Sequence, residues 1–281
     1  MNKLSISLAL ALLAGLVSSS ALAQQPADEN QCKAMPNQAM VAHRGARADW
    51  PDNTLAAYDA AISAGASALE VDVRMTVDGQ LVAMHDPLVD RTTTGHGLVQ
   101  NLRWDYLRQQ EIIRAPSQRV PSLAQILEHV SGRAMIMLDL KIESETYWQR
   151  LSDTLMQSPY RDQVVLGVRS LRESKRLMDL LPGFPQLALS PKKRFIDDFV
   201  EAGVSIVRMW PEWLKKRPEL GKFVQDHDVA LYIPTRKNGR SRIRKLLCYQ
   251  PNFIQTDDPV KLTATLEKLS AEDQQDAIAP H

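Results

Sequence analysis

Beyond its first two dozen residues the sequence has no apolar run long enough to span a bilayer, no excess of charge of either sign, no internal repeat, and only two cysteines. Each absence narrows the choices. Without a second long apolar run, the chain past its N-terminus is expected to be soluble and to make no stable membrane insertion. The 34 Lys and Arg against 33 Asp and Glu leave whole-protein charge favouring neither nucleic acid nor an anionic membrane as partner. Without repeats or low-complexity tracts, a solenoid or a long disordered chain has no support.

What is present begins with Met1-Asn2-Lys3, a positive start, followed by an almost unbroken apolar run from Leu4 to Val17. That run has the length of a signal h-region and is short for a membrane helix, and Ala21-Leu22-Ala23 fits an A-x-A cleavage site. Residues 1–23 are therefore expected to be a cleavable signal peptide. The protein is then periplasmic or secreted; an uncleaved anchor is the alternative. Residues 24–37 are polar and aperiodic and read as a flexible lead-in. Export would place Cys32 and Cys248 where a disulfide persists.

From residue 38 short apolar runs alternate with amphipathic stretches, the pattern of β/α units over a parallel sheet. Strand-like runs lie at 39–43, 68–73, 81–85, 135–140, 164–168, 187–189, 204–209, 229–234 and 253–256. Helix-like stretches lie near 53–64, 122–130, 145–157, 171–181, 194–202, 212–226 and 239–247, with Asp52 or Asn53 as cap of the first. The expected fold is α/β, a TIM (β/α)8 barrel of residues 38–270 with an insertion after the third strand and a disordered tail at 271–281. Nine strand candidates exceed the eight such a barrel needs, so at least one is peripheral or is not a strand. The link between 73 and 81 is too short for a helical crossover. Residues 86–121, containing "DRTTTGHG", form a long polar connection of the kind that covers a site. Barrel closure would set the strands after Cys32 and Cys248 side by side and let the thiols meet; two unpaired thiols are the alternative.

Titratable residues gather at the ends of the strand runs, where barrel enzymes keep their active sites. His43 and Arg44 end the first, Glu70 and Asp72 sit in the second, His85 and Asp86 end the third, and Asp139 and Lys141 close the run at 135–140. Strand alternation puts Glu70 and Asp72 on one face, and Asp139 and Lys141 on one face. A lone histidine at a strand end is more often a hydrogen-bonded rim residue than a catalyst. Three acids placed inward, however, each cost several kcal/mol unless a cation or basic partner compensates them. Their oxygens suit a hard cation, Ca²⁺ or Mg²⁺, better than zinc. With Arg44 and Lys141 beside them, a phosphate-binding site is the simplest common reason.

The segment from Val41 to Asp86, "VAHRGARADWPDNTLAAYDAAISAGASALEVDVRMTVDGQLVAMHD", resembles the signature region of the glycerophosphodiester phosphodiesterases. The likeness continues in order through "DRTTTGHGLV", "VPSLAQILE", "IMLDLK" and "FIQTDDP". The resemblance implies a TIM barrel that hydrolyses small-molecule phosphodiesters of glycerol to glycerol 3-phosphate and an alcohol, with a divalent cation. By position, His43 and His85 match the family's acid/base histidines, Glu70 and Asp72 its metal carboxylates, and Arg44 its phosphate-binding arginine. Three departures stand out: Asp52 and Asp139 replace glutamates, and Tyr232-Ile233-Pro234-Thr235 stands where the family has W-T-V-N, which touches the glycerol pocket and so the substrate. Competing expectations are a phospholipase D or sphingomyelinase D-like lipid phosphodiesterase and a non-catalytic exported binding protein.

Overall fold

The computed structural model describes residues 32–33, 38–189 and 192–278. The expected signal peptide and most of the lead-in lie outside the described residues. Eleven strands occur among the described residues. They are β1 (Ala39–His43), β2 (Ala68–Met75), β3 (Leu81–Ala83), β4 (Glu111–Ile112), β5 (Ala115–Arg119), β6 (Met135–Leu140), β7 (Val164–Val168), β8 (Gln186–Ala188), β9 (Ile206–Arg208), β10 (Ala230–Thr235) and β11 (Phe253–Thr256). The helices are α1 (Leu55–Ser63), α2 (Trp104–Leu107), α3 (Leu123–Val130), α4 (Glu145–Gln157), α5 (Leu171–Leu180), α6 (Ile196–Glu201), α7 (Pro211–Lys216), α8 (Glu219–Asp226), α9 (Arg240–Leu247) and α10 (Pro259–Ile278).

Eight strands, β1, β2 and β6 to β11, pair in parallel and close into a barrel, because β1 bonds to β2 on one side and β11 on the other. The ninth run is the peripheral one: β3 pairs antiparallel to the end of β2, through the short link that excluded a crossover. Alternation sorts the strand side chains. Val41, Ala68, Met137, Val165, Leu187, Ile206, Tyr232 and Phe253 fill the barrel, and the intervening residues pack against the helices. This two-sided burial is why the strands read as continuous apolar runs.

Ser122, Ser144 and Ser170 cap α3, α4 and α5 through their side-chain oxygens. The cap of α1 is Thr54, not Asp52 or Asn53, and Asn53 takes a left-handed φ of 56° that frees its side chain for the barrel mouth. The stretch expected as one helix at 212–226 is two, α7 and α8, because Pro218 disfavours a helical Arg217. Residues 86–121 fold into α2 and the β4–β5 hairpin over a small core containing Met84, Val89, Leu107, Ile112 and Val120.

The expected disordered tail at 271–281 is helical over residues 271–278, and residues 279–281 lie outside the described residues. Residues 271–278 continue α10, whose Glu272 and Asp273 are paired with Arg240 and Arg244. At the amino end of the closing seam, Cys32 and Cys248 are joined in a disulfide.

Candidate active site

The carboxyl ends of β1, β2 and β6 put the acids together. One oxygen from each of Glu70, Asp72 and Asp139 lies within 4.8 Å of the others, and all three residues are buried. Register explains this: Asp72 sits opposite Asp139, and His43 opposite Glu70.

Cations lie between the acids. Lys141 Nζ is 2.7 Å from Asp72 and 2.6 Å from Asp139, Arg44 Nε is 3.1 Å from Asp72, and Arg169 Nη2 donates to both oxygens of Asp139. Lys141 and Arg44 hold Asp72 below the usual carboxylate range even though burial alone would raise it. Glu70 is different. Burial, then the charges of Asp72 and Asp139, push its carboxyl well above the ordinary value, more than the charges of Lys141 and Arg44 offset.

That excess is the test of a metal. Three buried oxygen donors, gathered with more negative charge than the neighbouring cations offset, match a hard divalent cation in donor type and spacing. Glu70, Asp72 and Asp139 would hold it, with Lys141 and Arg169 yielding part of their grip on Asp139.

The connection after β1 is strained to serve this cluster. Arg44 has a left-handed φ of 58°, and its backbone N–H reaches the side chain of Glu70 at 3.0 Å. Gly45 follows at φ 83°, where a Cβ would come within 2.7 Å of Ala57, so the loop lies directly on α1. Asn53 donates to Asp72 at 2.8 Å and accepts from Tyr58 at 3.0 Å.

Both histidines stand at this mouth, and each carries a carboxylate at Nδ1. His43 Nδ1 is 2.6 Å from Asp257, leaving Nε2 4.0 Å from Glu70. His85 Nδ1 is 2.7 Å from Asp86, and its carbonyl accepts two bonds from Arg74. Ion pairs connect the two sides: Arg91 reaches Asp86 and Asp52, and Asp52 is bonded to Arg44 and Arg47. Burial lowers the pKa of His43, with the Asp257 hydrogen bond working against it.

All seven residues expected at the mouth, His43, Arg44, Glu70, Asp72, His85, Asp139 and Lys141, are thus at one end of the barrel. Cys32 and Cys248 lie at the other. Asn53, Arg169 and Asp257 join the site without having been singled out. Asp257 had a signal in its position just after the last strand run, and Asn53 was read only as a cap.

A model described as the glycerophosphoryl diester phosphodiesterase family matches residues 43–177. A probable glycerophosphodiester phosphodiesterase 1 of Mycobacterium tuberculosis is 54% identical over 72 residues, an alignment that covers 26% of either chain, so only about a quarter of that relative is spanned. The glycerophosphodiester phosphodiesterase of Caldanaerobacter subterraneus is 25% identical over 243 residues, covering 82% of this chain and 98% of its own. Among solved structures, a glycerophosphodiester phosphodiesterase from Agrobacterium tumefaciens superposes with a TM-score of 0.70 at 24% identity, covering 81% and 99% of the two chains. An Oleispira antarctica phosphodiesterase in complex with the product sn-glycerol-3-phosphate does so with 0.72 at 19% identity, covering 82% and 96%.

Proposed function

The chain belongs to the glycerophosphoryl diester phosphodiesterase family, and from this we infer that it hydrolyses glycerophosphodiesters to sn-glycerol 3-phosphate and an alcohol. The observation that carries the reading is the convergence of three carboxylates, Arg44 and Lys141, and two carboxylate-supported imidazoles on one end of the barrel.

In this reading Arg44 and Lys141 bind the phosphodiester anion and offset the charge that grows on its oxygens. Glu70, Asp72 and Asp139 would hold a divalent cation, Ca²⁺ or Mg²⁺, which would supply Lewis-acid chemistry at the phosphoryl group. His43, kept neutral by burial, is the base that takes a proton from the attacking oxygen at Nε2. Its Nδ1–H is spent on Asp257. His85, oriented in the same way by Asp86, returns a proton to the departing alkoxide.

We assign the mature chain to the periplasm or the exterior of the cell. The apolar leader and its A-x-A site support this, and the Cys32–Cys248 bond is compatible with an oxidising compartment. The decisive assay measures glycerol 3-phosphate released from glycerophosphocholine before chelation, with EDTA, and after Ca²⁺ or Mg²⁺ is restored. Activity lost to EDTA and recovered with one of the ions is expected; no release from any glycerophosphodiester overturns the reading.

A further inference from the structure

Of the connection formed by residues 86–121, the chemistry above uses only Asp86. The motif "DRTTTGHG" inside it brings one more side chain to the mouth, that of Arg91. The turn that carries Arg91 is pinned on its far side. Thr93 donates to the Val89 carbonyl from both its N–H and its hydroxyl at 3.0 Å, Thr92 Oγ1 donates to Met84 Sδ at 3.5 Å, and Thr94 N–H donates to the Glu111 carbonyl at 2.9 Å. Met84, Val89 and Ile112 belong to the small core of this connection. A long side chain therefore starts from a fixed point, which lowers the entropy lost when its end is held.

His85 needs such a hold. Arg74 fixes its main chain, donating to its carbonyl from Nε at 3.0 Å and from Nη2 at 2.7 Å. Its ring has one hydrogen-bond partner among the described residues, Asp86 Oδ1 at 2.7 Å. Because Asp86 is the next residue of the same loop, that bond alone would let ring and carboxylate turn together. Arg91 removes the freedom: its Nε donates to Asp86 Oδ2, and its Nη2 lies 3.5 Å from Asp52. Asp52 is a fixed post, its side chain only 11% exposed, and it accepts from Arg44 Nη1 at 3.0 Å and from Arg47 Nε at 3.3 Å. Arg47 Nη1 in turn lies 3.4 Å from His43 Nδ1 and 3.6 Å from Asp257. Alternating charges thus run from one imidazole to the other, and Arg91 is the link that spans the two loops. The Arg91–Asp86 pair is partly exposed, at 52% and 26%, and an ion pair so placed adds little to stability. Its value lies in orientation, since a guanidinium fork held at one nitrogen fixes the direction of a carboxylate bonded to another.

We propose that Arg91 is a positioning residue for the proton donor: braced on Asp52, it holds Asp86 and through it the His85 ring, and the "DRTTTGHG" turn is the mount that delivers it. The proposal rests on the phosphodiesterase reading, in which His85 protonates the departing alkoxide, and deepens it by naming the residue that aims this proton.

Two measurements test it, one with turnover and one without. Glycerophosphocholine must lose an alkoxide, which needs a proton, whereas glycerol p-nitrophenyl phosphate loses a phenolate that departs without one. With Ca²⁺ or Mg²⁺ present, Arg91→Met should lower kcat on glycerophosphocholine at least about tenfold with KM near wild type, and change kcat on the p-nitrophenyl ester by less than about threefold. Arg91→Lys, which keeps the charge but not the fork, should recover part of the loss, and R91M added to His85→Ala should cost nothing further. Nitrogen-15 NMR of the imidazoles, at about pH 8 where an ordinary histidine is neutral, needs no turnover. The His85 signals, assigned by their absence from H85A, should show the Nδ1–H form dominating in the wild type and both tautomers in R91M. Equal losses on the two diesters overturn the proposal, as does a loss that adds in full to that of H85A or an unchanged tautomer ratio at His85 in R91M. Absence of turnover on every diester, with the His85 tautomers still dependent on Arg91, instead removes the phosphodiesterase reading and leaves the positioning role standing. Arg91→Gln serves for the same comparisons if R91M lacks native circular dichroism.

Discussion

Each imidazole at the barrel mouth is held by an acid kept in its charged form. Burial would raise Asp86, but the hydrogen bonds from Arg91 and His85 outweigh it and hold the carboxyl at about 2. Burial also acts to raise Asp257, and the His43 bond with the charges of His43 and Arg47 brings it below its ordinary range. Both acids are thus shifted toward their ionised forms, which favours a proton on Nδ1 of the imidazole each one touches. His43→Ala and His85→Ala should each lower kcat by about 10²-fold or more; near-wild-type rates in both would remove the acid/base assignment. The pH profile gives a sharper test. In the proposed role of base His43 must be neutral, and burial places its pKa below the ordinary 6.5, so the acid limb of the rate profile should lie below that value. Asp257→Asn removes a charge that favours the imidazolium. The limb should then move to lower pH while kcat falls, and a limb that moves to higher pH contradicts the pairing.

At the level of elements, α5 shows how a strand end and the helix after it are welded. Ser170 caps the helix, and the carboxyl of Glu173, buried in the first turn, accepts from the Arg169 backbone at 2.8 Å and from the Trp148 indole at 3.4 Å. Burial pushes this carboxyl up to about 7, ahead of the bonds that lower it. Its folded pKa exceeds its unfolded value of 4.5, so the native state holds a proton that the unfolded chain releases. The stability this proton confers is full below pH 4.5 and falls away as pH rises to about 7. Glu173→Gln should accordingly gain stability relative to wild type between pH 5 and pH 8 by on the order of 2 kcal/mol. Urea denaturation at the two pH values measures it, and a difference that does not change with pH refutes it.

The elements also show what a sequence displays and what it conceals. The barrel strands were legible because both their faces are buried, which leaves runs such as Val164–Val168 unbroken. The β4–β5 hairpin was hidden by the exposed, polar Ala115–Arg119. The last turns of α10 were hidden because Arg240 and Arg244, on another helix, hold its acidic residues. The same division runs through the site. His43, Glu70, Asp72 and Asp139 follow from strand alternation, whereas Asn53 needs a left-handed turn and Asp257 a partner 214 residues away, neither of which leaves a periodic trace.

For the whole molecule, the closure between β1 and β11 is the seam on which the barrel depends, since it joins the first strand to the last. The disulfide lies at the amino end of that seam, with Cys32 leading into β1 and Cys248 leading into β11, while the histidines and acids lie at the carboxyl end. The two ends therefore have separable jobs. A crosslink between residues 216 apart removes much of the freedom of the unfolded chain, roughly 5 kcal/mol in a chain-entropy account. Replacing both cysteines by alanine should lower the unfolding midpoint by several degrees or more, yet leave kcat and KM close to wild type where both proteins are folded. Reductant should lower the wild-type midpoint toward that of the variant and have no effect on the variant itself. Two free thiols by mass spectrometry in exported protein, or a midpoint indifferent to reductant, would show that hydrogen bonding and packing alone carry the seam. A large loss of kcat in the folded variant would show instead that closure at one end sets the geometry of the acids at the other.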